Sequence, residues 1–349
     1  MNWPDQDYAA LLDIIKEYPN ATYPELASLL TERCGRPFTG EAVRMKLQRM
    51  KIKRSQIIYE NRKNEKEHNV EELLDVVVKM QKKFQEMDDR QTSITLSIDD
   101  SRPIGIAFTG DWHTGGIQTD HEQMKKDFAL IRDTDGLFCI TMGDYNDNYI
   151  TRSHPGGSFE QVITADKQKT LSEYFFTEFL ANKILAVIEG NHDHWEVKET
   201  GENWVKYIAR KIEKPFLWYG GEINLRFGNV AYRIHARHTF KYNSSLNTTN
   251  SQRNLFAATH ADIIALGHLH YNEVHNKRVG GIDTVWMRTG SYKITDDYSQ
   301  WLGGFNADER VPMVILWPDR KKILPFRSIY DGIKHLRMVR SEHEEAIGL

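Results

Sequence analysis

The sequence predicts an α/β (α+β) fold that is preceded by a small all-helical module. From Ile104 onward, apolar runs of strand length end in glycine, as in IGIAFTG, LFCITMG, ILAVIEG and ADIIALG. Helical patterns such as KTLSEYFFTEFLANK separate some of these runs, whereas residues 1–58 show only helical spacing. A sheet covered by helices is the natural architecture for the second part of the chain.

The composition limits the classes of protein to which the chain can belong. A length of 349 residues, with 40% hydrophobic and 27% charged residues, is typical of a soluble globular protein larger than one average domain. The net charge of −3 means that any affinity for nucleic acid must come from a local patch. Cys34 and Cys139 belong to no CxxC pair, which argues against a disulfide framework or a zinc ribbon. No signal peptide or membrane-spanning run is visible, so we expect a cytoplasmic protein without membrane contact.

Residues 1–58 are predicted to form a helix-turn-helix-like module of three short helices. Thr22 is placed to cap the second helix, which Gly35 ends, and Thr39 can cap the third, GEAVRMKLQRMKIKRSQ. The third helix is basic, and its candidate nucleic-acid contacts are Arg44, Lys46, Arg49 and Lys51. Contact with DNA or RNA is one interpretation of this face, and a merely solvated face of a helical bundle is the other.

Residues 59–100 are predicted to form an amphipathic linker helix and a connection with room for one strand. Apolar residues recur there in steps of three and four, as in a coiled coil: Val70, Leu73, Val77, Met80, Phe84 and Met87. Two arrangements satisfy this pattern. The helix either pairs with its copy in a homodimer through residues 66–90 or lies back on the body of its own chain.

Side chains that can bind metal follow each of the glycine-ended strands, in GDWHTGG, GDYND, GNHD and GHLH. Residues at i and i+2 of an extended chain point to the same side, and ligands bind at the carboxyl ends of strands in open sheets. Each motif is weak alone, but four in order indicate a metal centre. Carboxylate, imidazole and amide oxygen suit Mn²⁺, Fe or Zn²⁺, and two such ions can share one carboxylate. The side chains concerned are Asp111, His113, Asp144, Asn191, His192, His268 and His270.

The order D-x-H, GD, GNHD, a lone histidine and GHxH resembles the calcineurin-like metallophosphoesterase superfamily. The chain is similar above all to the SbcD-type nuclease branch and to phosphoesterases encoded by phages. The resemblance implies a four-layer sandwich of two β-sheets flanked by helices in residues 101–335, and residues 336–349 are predicted to be a C-terminal tail. It further implies that Asp144 bridges two ions and that His192 lies beside the leaving group. One ion would take Asp111, His113 and His270, and the other Asn191, His268 and a further histidine.

Three assignments keep an alternative. In AYRIHARHTFKYNSSLN, we favour His238 as the further histidine ligand because it stands at the end of its strand, whereas His235 lies further back. Asp193 either orients the imidazole of His192 or has a purely structural role. Arg152, in the polar segment after Asp144, is predicted to line the substrate groove, and a solvated loop charge is the alternative.

The predicted function is hydrolysis of phosphodiester bonds at two divalent ions, with Mn²⁺ favoured and Fe, Zn²⁺ or Ni²⁺ as alternatives. A basic helical module joined to such a domain favours a DNA-directed nuclease. The alternatives are a phosphatase or cyclic-nucleotide phosphodiesterase with a protein-binding N-terminal module, or a DNA-binding protein with a little-used metal site. Arg288 and Lys293 are further candidates for phosphate contact, and solvated loop charges are the alternative.

Overall fold

The structure is a computed structural model that describes residues 3–52, 69–150, 157–244, 247–295 and 310–347. The chain divides into two units, Met1–Met87 and Asp88–Leu349. Arg152 and residues 59–68 of the predicted linker lie outside the described residues.

The first unit begins with three helices, α1 (Asp5–Glu17), α2 (Tyr23–Cys34) and α3 (Gly40–Arg49), in the predicted number and order. The third ends at Arg49, earlier than the predicted segment GEAVRMKLQRMKIKRSQ. The hydroxyl of Thr22 accepts the N–H of Glu25 at 3.4 Å, and that of Thr39 accepts the N–H of Ala42 at 3.2 Å. Gly35 ends α2 in the left-handed conformation, at a φ of 67°. The helices enclose an apolar core of Leu11, Ile14, Leu26, Ala27, Leu30, Val43 and Leu47.

A fourth helix, α4 (Val70–Met87), carries the predicted seam of apolar residues. Every side chain from Val70 to Met87 is exposed, including the six of the seam. Among the described residues of its own unit, none covers the seam.

The second unit contains two mixed sheets. One has the strand order β1-β5-β6-β7-β9-β8 and the other β11-β10-β2-β3-β4. In the second sheet, β2, β3 and β4 run parallel, and in the first, β6 and β7 run parallel. The strands are β1 (Ser93–Ile98), β2 (Ile104–Thr109), β3 (Leu137–Thr141), β4 (Ile184–Val187), β5 (Gly220–Phe227), β6 (Val230–Arg237), β7 (Ile263–Leu266), β8 (Glu273–Val279), β9 (Ile282–Arg288), β10 (Met313–Leu316) and β11 (Ile323–Phe326).

Helices cover the outer faces of both sheets. They are α5 (His121–Asp133), α6 (Ala165–Tyr174) with a π-helical continuation (Phe175–Leu180), α7 (Asn191–Thr200), α8 (Trp204–Lys211), α9 (Asn250–Thr259) and α10 (Ile329–Ile347). Phe128 of α5 and Leu336 of α10 pack in the core outside the five-stranded sheet. Phe256 of α9 packs outside the six-stranded sheet, and both sheets contribute to a core between them. The predicted sandwich of two sheets flanked by helices is confirmed.

The structure differs from the predicted boundaries at both ends of the second unit. The strand that the sequence allowed in the connection is β1, and because it pairs in parallel with β5 it belongs to the second unit and not to a linker. Residues 336–347 are not a tail, because they continue α10, whose Leu336 and Val339 are buried. Arg340, also buried, donates to the carbonyl oxygen of Pro103 at 2.8 Å, which holds the helix against the start of β2. Among the described residues, no helix has the length and apolarity needed to cross a bilayer.

Candidate metal centre

The predicted metal ligands meet where parallel strands of both sheets end. The loops after β2, β3 and β4 carry Asp111 and His113, Asp144, and Asn191, and those after β6 and β7 carry His238, His268 and His270. Three groups of side chains have ligand atoms within 4.8 Å of one another. Two consist of predicted ligands only, the first being Asp111, His113 and His270 and the second Asp144, His238 and His268. The third joins His113 to Asp147 and His192. Oδ1 of Asn191 lies 2.9 Å from Nε2 of His238 and so adjoins the second group. The fold therefore brings together all seven side chains that the sequence assigns to metal.

Asp144 lies between the two groups. Its Oδ2 is 3.2 Å from Nε2 of His238 in the second group and 3.9 Å from Nε2 of His113 in the first. Its Oδ1 accepts the backbone N–H of His192 at 2.9 Å. Oδ2 is buried and, although Nε2 of His238 lies 3.2 Å away, it makes no hydrogen bond of regular geometry to a described residue. A buried carboxylate oxygen without a partner is costly, and a position between two cations would satisfy it.

The spacing of the ligand atoms fits metal coordination. Ligand nitrogens bind Zn²⁺ at about 2.0–2.1 Å, so two of them at angles of about 90–109° lie roughly 2.9–3.4 Å apart. In the first group, Nε2 of His270 is 3.0 Å from Nε2 of His113 and 3.3 Å from Oδ1 of Asp111. The donor set of carboxylate, imidazole and amide oxygen suits Mn²⁺, Fe or Zn²⁺.

The structure places His238, and not His235, in the second group. His238 is 1% exposed, and its Nδ1 donates to the carbonyl oxygen of Met142 at 2.8 Å, which leaves Nε2 for the site. His235 lies inside β6 opposite Glu222 of β5. Burial lowers the pKa of His235 to about 4, so its imidazole is a neutral, half-buried group of the sheet.

Asp147 and Lys293 form a buried pair behind the first group. Oδ1 of Asp147 is 3.2 Å from Nδ1 of His113 and 2.9 Å from Nζ of Lys293. A carboxylate at Nδ1 keeps Nε2 unprotonated and orients the ring toward a metal. Burial also lowers the pKa of His113, which favours the neutral form that binds metal. Lys293 is thus not a solvated loop charge, since it is 4% exposed and held by Asp147 and the hydroxyl of Tyr149.

Five of the candidate ligands have a left-handed backbone. Positive φ values in residues other than glycine are uncommon and cost about 1–3 kcal/mol each, and they cluster at functional sites. The values are 50° at Asp111, 48° at His113, 53° at Asp144, 75° at His268 and 59° at His270. Between two of the loops, a Cβ at Gly190 would overlap the carboxylate of Asp144, which explains the glycine before Asn191.

His192 lies beside the first group. The centre of its ring is 4.6 Å from that of His113 and 3.9 Å from that of Trp195. Its Nδ1 donates to the carbonyl oxygen of Asp147 at 2.6 Å, and no described residue hydrogen-bonds its Nε2. Burial lowers the pKa of His192 to about 3, so the ring is neutral. It stands in the first turn of α7, where the helix dipole favours an anion.

The contacts of Asp193 favour the structural role over the orientation of His192. Its carboxylate accepts the backbone N–H groups of Asp144 at 2.8 Å, Gly190 at 2.9 Å and Tyr145 at 3.2 Å. As the third residue of α7, it reaches back to the free amides of the helix start instead of toward His192. Asp193 therefore has the structural role that the sequence left as the alternative, because it ties the loop of Asp144 to that of Asn191.

Arg288, the other candidate for phosphate contact, is 1% exposed and supports a loop. Its Nη1 donates to the carbonyl oxygen of Gly267 at 2.8 Å, directly before His268. The sequence does not indicate this burial. Arg288 ends a strand in the same region of the sheet as the ligands, so its position does not distinguish a buried arginine from one that contacts phosphate.

The basic face of α3 belongs to the first unit. Arg44 pairs with Glu41 at 2.5 Å on the surface, and Nζ of Lys46 lies 5.4 Å from the centre of the Tyr8 ring. Arg49, the last residue of α3, and Lys51, which follows the helix at a φ of 51°, are exposed. Contact with nucleic acid at these four positions stays a prediction.

Comparison with known proteins gives similarity of structure only. No family model matches the sequence, and no curated protein matches it either. The chain is similar to the protein TT1561 of Thermus thermophilus, with 11% identity over 65% of this chain and 99% of that one and a TM-score of 0.37. It is also similar to a predicted phosphoesterase of Streptococcus pneumoniae, with 14% identity, coverage of 64% and 97%, and a TM-score of 0.31. For Vps29 of Entamoeba histolytica in complex with Zn²⁺, the values are 12% identity, coverage of 64% and 97%, and a TM-score of 0.33. The interpretation of the site depends on its own geometry.

Proposed function

We propose that this chain is a phosphodiesterase that uses two divalent metal ions and acts on DNA. The observation that carries the proposal is the shared carboxylate, since Oδ2 of Asp144 faces both ligand groups. A pair of ions with a common ligand is the arrangement that two-metal hydrolysis of phosphate esters requires.

The two groups would hold one ion each. Asp111, His113 and His270 would bind the first, Asn191, His238 and His268 the second, and Asp144 both. When bound, such ions lower the pKa of water and neutralise charge on phosphoryl oxygens. Mn²⁺ is the ion that we favour, with Fe, Zn²⁺ and Ni²⁺ as alternatives.

His192 supplies the group that acts on the leaving oxygen. Because Nδ1 is bonded to the carbonyl oxygen of Asp147, Nε2 is the atom left to meet the substrate. The negative charge of a bound phosphate ester favours the protonated ring and so raises its pKa. As the P–O bond breaks, the departing alkoxide takes the proton of Nε2.

The exposed basic residues of α3 support a DNA substrate. The net charge of the whole chain is only −3, so phosphate contacts must come from such a local cluster. The ion pair of Arg44 with Glu41 is exposed, and such pairs contribute about 0–1 kcal/mol, so Arg44 can exchange its partner for a phosphate.

A substrate panel tests the proposal. Purified protein with Mn²⁺ is offered single-stranded DNA, duplex DNA, a phosphomonoester and a cyclic nucleotide, with Asp144→Asn as the control for contaminating nucleases. We expect the highest kcat/KM on DNA and no activity of the variant on any substrate. A preference for the monoester or the cyclic nucleotide would refute the DNA substrate and leave the two-metal chemistry standing. No hydrolysis at all would refute both.

A binding experiment tests α3 by itself. Arg49→Gln and Lys51→Gln should each reduce the slope of log K against log [salt] by about 0.9 if the residue contacts a phosphate of duplex DNA. Lys16→Gln, an equally exposed charge on α1, is the matched control and should leave the slope unchanged. Equal effects at all three positions would contradict a specific face on α3.

A further inference from the structure

The apolar face of α4 has no cover in the described part of the chain. Leu73 is 52% exposed, Val77 43% and Phe84 72%, and no residue of this 18-residue helix is buried. The stability of helices in proteins comes chiefly from packing of an apolar face, a packing that α4 lacks among the described residues. Exposed apolar surface of this extent marks an interaction site.

We propose that α4 pairs with α4 of a second copy of this chain in a parallel two-stranded coiled coil. The seam follows the heptad pattern, with Val70, Val77 and Phe84 at a positions and Leu73, Met80 and Met87 at d positions. β-Branched residues at a with leucine at d favour two parallel strands. Two of the three a residues are valine, and the first d residue is leucine.

The charges beside the seam select the parallel arrangement. Lys83 occupies a g position, and Asp88, the first residue beyond the C-terminal end of α4, would take the following e position if the helix continued by one residue. In a parallel pair in register with the helix extended in this way, Lys83 of each copy would lie beside Asp88 of the other, which would give two ion pairs across the interface. In an antiparallel pair, g positions face each other, and Lys83 would meet Val76 instead. Asp88 also pairs with Arg90 of its own chain, and an exposed pair of that kind is exchanged at little cost.

The outer positions fit this arrangement as well. Apart from Val78, the b, c and f positions of α4 hold polar residues, which face solvent in a two-stranded coil, among them Glu71, Glu72, Asp75, Lys79 and Lys82. These charges thus lie away from the seam, and Lys83 lies beside the position of an acidic side chain of the second copy.

Pairing of α4 would place two helix-turn-helix-like modules in one particle. If these modules bind DNA, which rests on the proposed function, the dimer would engage two half-sites. The dimer itself does not depend on that function, so it is tested without DNA and without metal.

The test measures the dissociation constant of the dimer by sedimentation of the full chain over a wide range of concentration. It compares two single variants in which one of two neighbouring valines is replaced by glutamate. Val77→Glu places a charge in the seam and should raise the dissociation constant of the dimer about 100-fold or more, because a buried charge without a partner is strongly destabilising. Val78→Glu, at the adjacent outer position with 39% exposure against 43% for Val77, should change it only a few-fold. Far-UV circular dichroism and hydrolysis of a chromogenic diester report whether each variant keeps its fold.

Charge exchange tests the orientation. Lys83→Glu and Asp88→Lys should each weaken the dimer, and the double variant should restore it. A chain that stays monomeric at every concentration, equal effects of the two glutamates, or a trimer or tetramer would overturn the proposal. A double variant that is weaker than both single variants would overturn the parallel register.

Discussion

Replacing Asp147 with asparagine tests whether the negative charge beside Nδ1 of His113 increases the affinity of that site for metal. Oδ1 of Asp147 is 3.2 Å from Nδ1 of His113, and both side chains are buried. Asparagine keeps an acceptor at this place but removes the charge, and charge-assisted hydrogen bonds are about twice as strong as neutral ones. Loss of such a supporting partner costs about 10–100-fold in metal affinity, so we expect the lower end, about tenfold or 1.4 kcal/mol, for one of the two ions.

The assay is calorimetric titration of the metal-free protein with Mn²⁺, which resolves the two binding events. Asp127→Asn is the matched control, because Asp127 is 2% exposed, accepts hydrogen bonds from Gln123, Tyr292 and Tyr330, and belongs to neither ligand group. The control should lower the melting temperature and leave both affinities unchanged. Two unchanged affinities in Asp147→Asn, or equal losses at both sites, would refute the reasoning.

The remaining predictions concern the ligands and His192. Asp144→Asn should reduce the bound metal at both sites, whereas His113→Ala should weaken chiefly one, as elemental analysis of the purified variants will show; two ions retained in Asp144→Asn would exclude bridging. His238→Ala should lower metal occupancy and the rates on DNA and on a nitrophenyl diester alike, whereas His235→Ala should change neither. His192→Ala should keep both ions and lose about 10²–10⁴-fold on DNA, whose alkoxide needs a proton, but far less on the nitrophenyl diester. Equal losses on both substrates together with a missing ion would place His192 among the ligands.

The positions of the ligands could be predicted because they depend on local order along the chain. Asp111, Asp144 and Asn191 each follow a strand, and neighbouring parallel strands end at one edge of a sheet. The atoms that a side chain contacts depend on how separate loops lie against one another. A single sequence motif does not contain that information. Asp193 is adjacent to His192 in sequence and yet binds backbone amides, whereas Asp147, the last residue of the motif GDYND, reaches His113. The burial of Lys293 and Arg288 depends in the same way on loops far apart in the chain.

The backbone conformation of the ligand residues shows that the geometry of the metal site, and not the φ preference of each residue, determines the conformation of these loops. Asp111, His113, Asp144, His268 and His270 all have positive φ values between 48° and 75°, where glycine would be unstrained. At about 1–3 kcal/mol each, their strain is comparable to the whole free energy of unfolding of an ordinary domain, about 5–15 kcal/mol. Glycine at these positions would relieve the strain and remove the ligand. The surrounding contacts, among them the three amides bound by Asp193, must therefore hold the loops in place, so that the ligand atoms stay close enough to share ions.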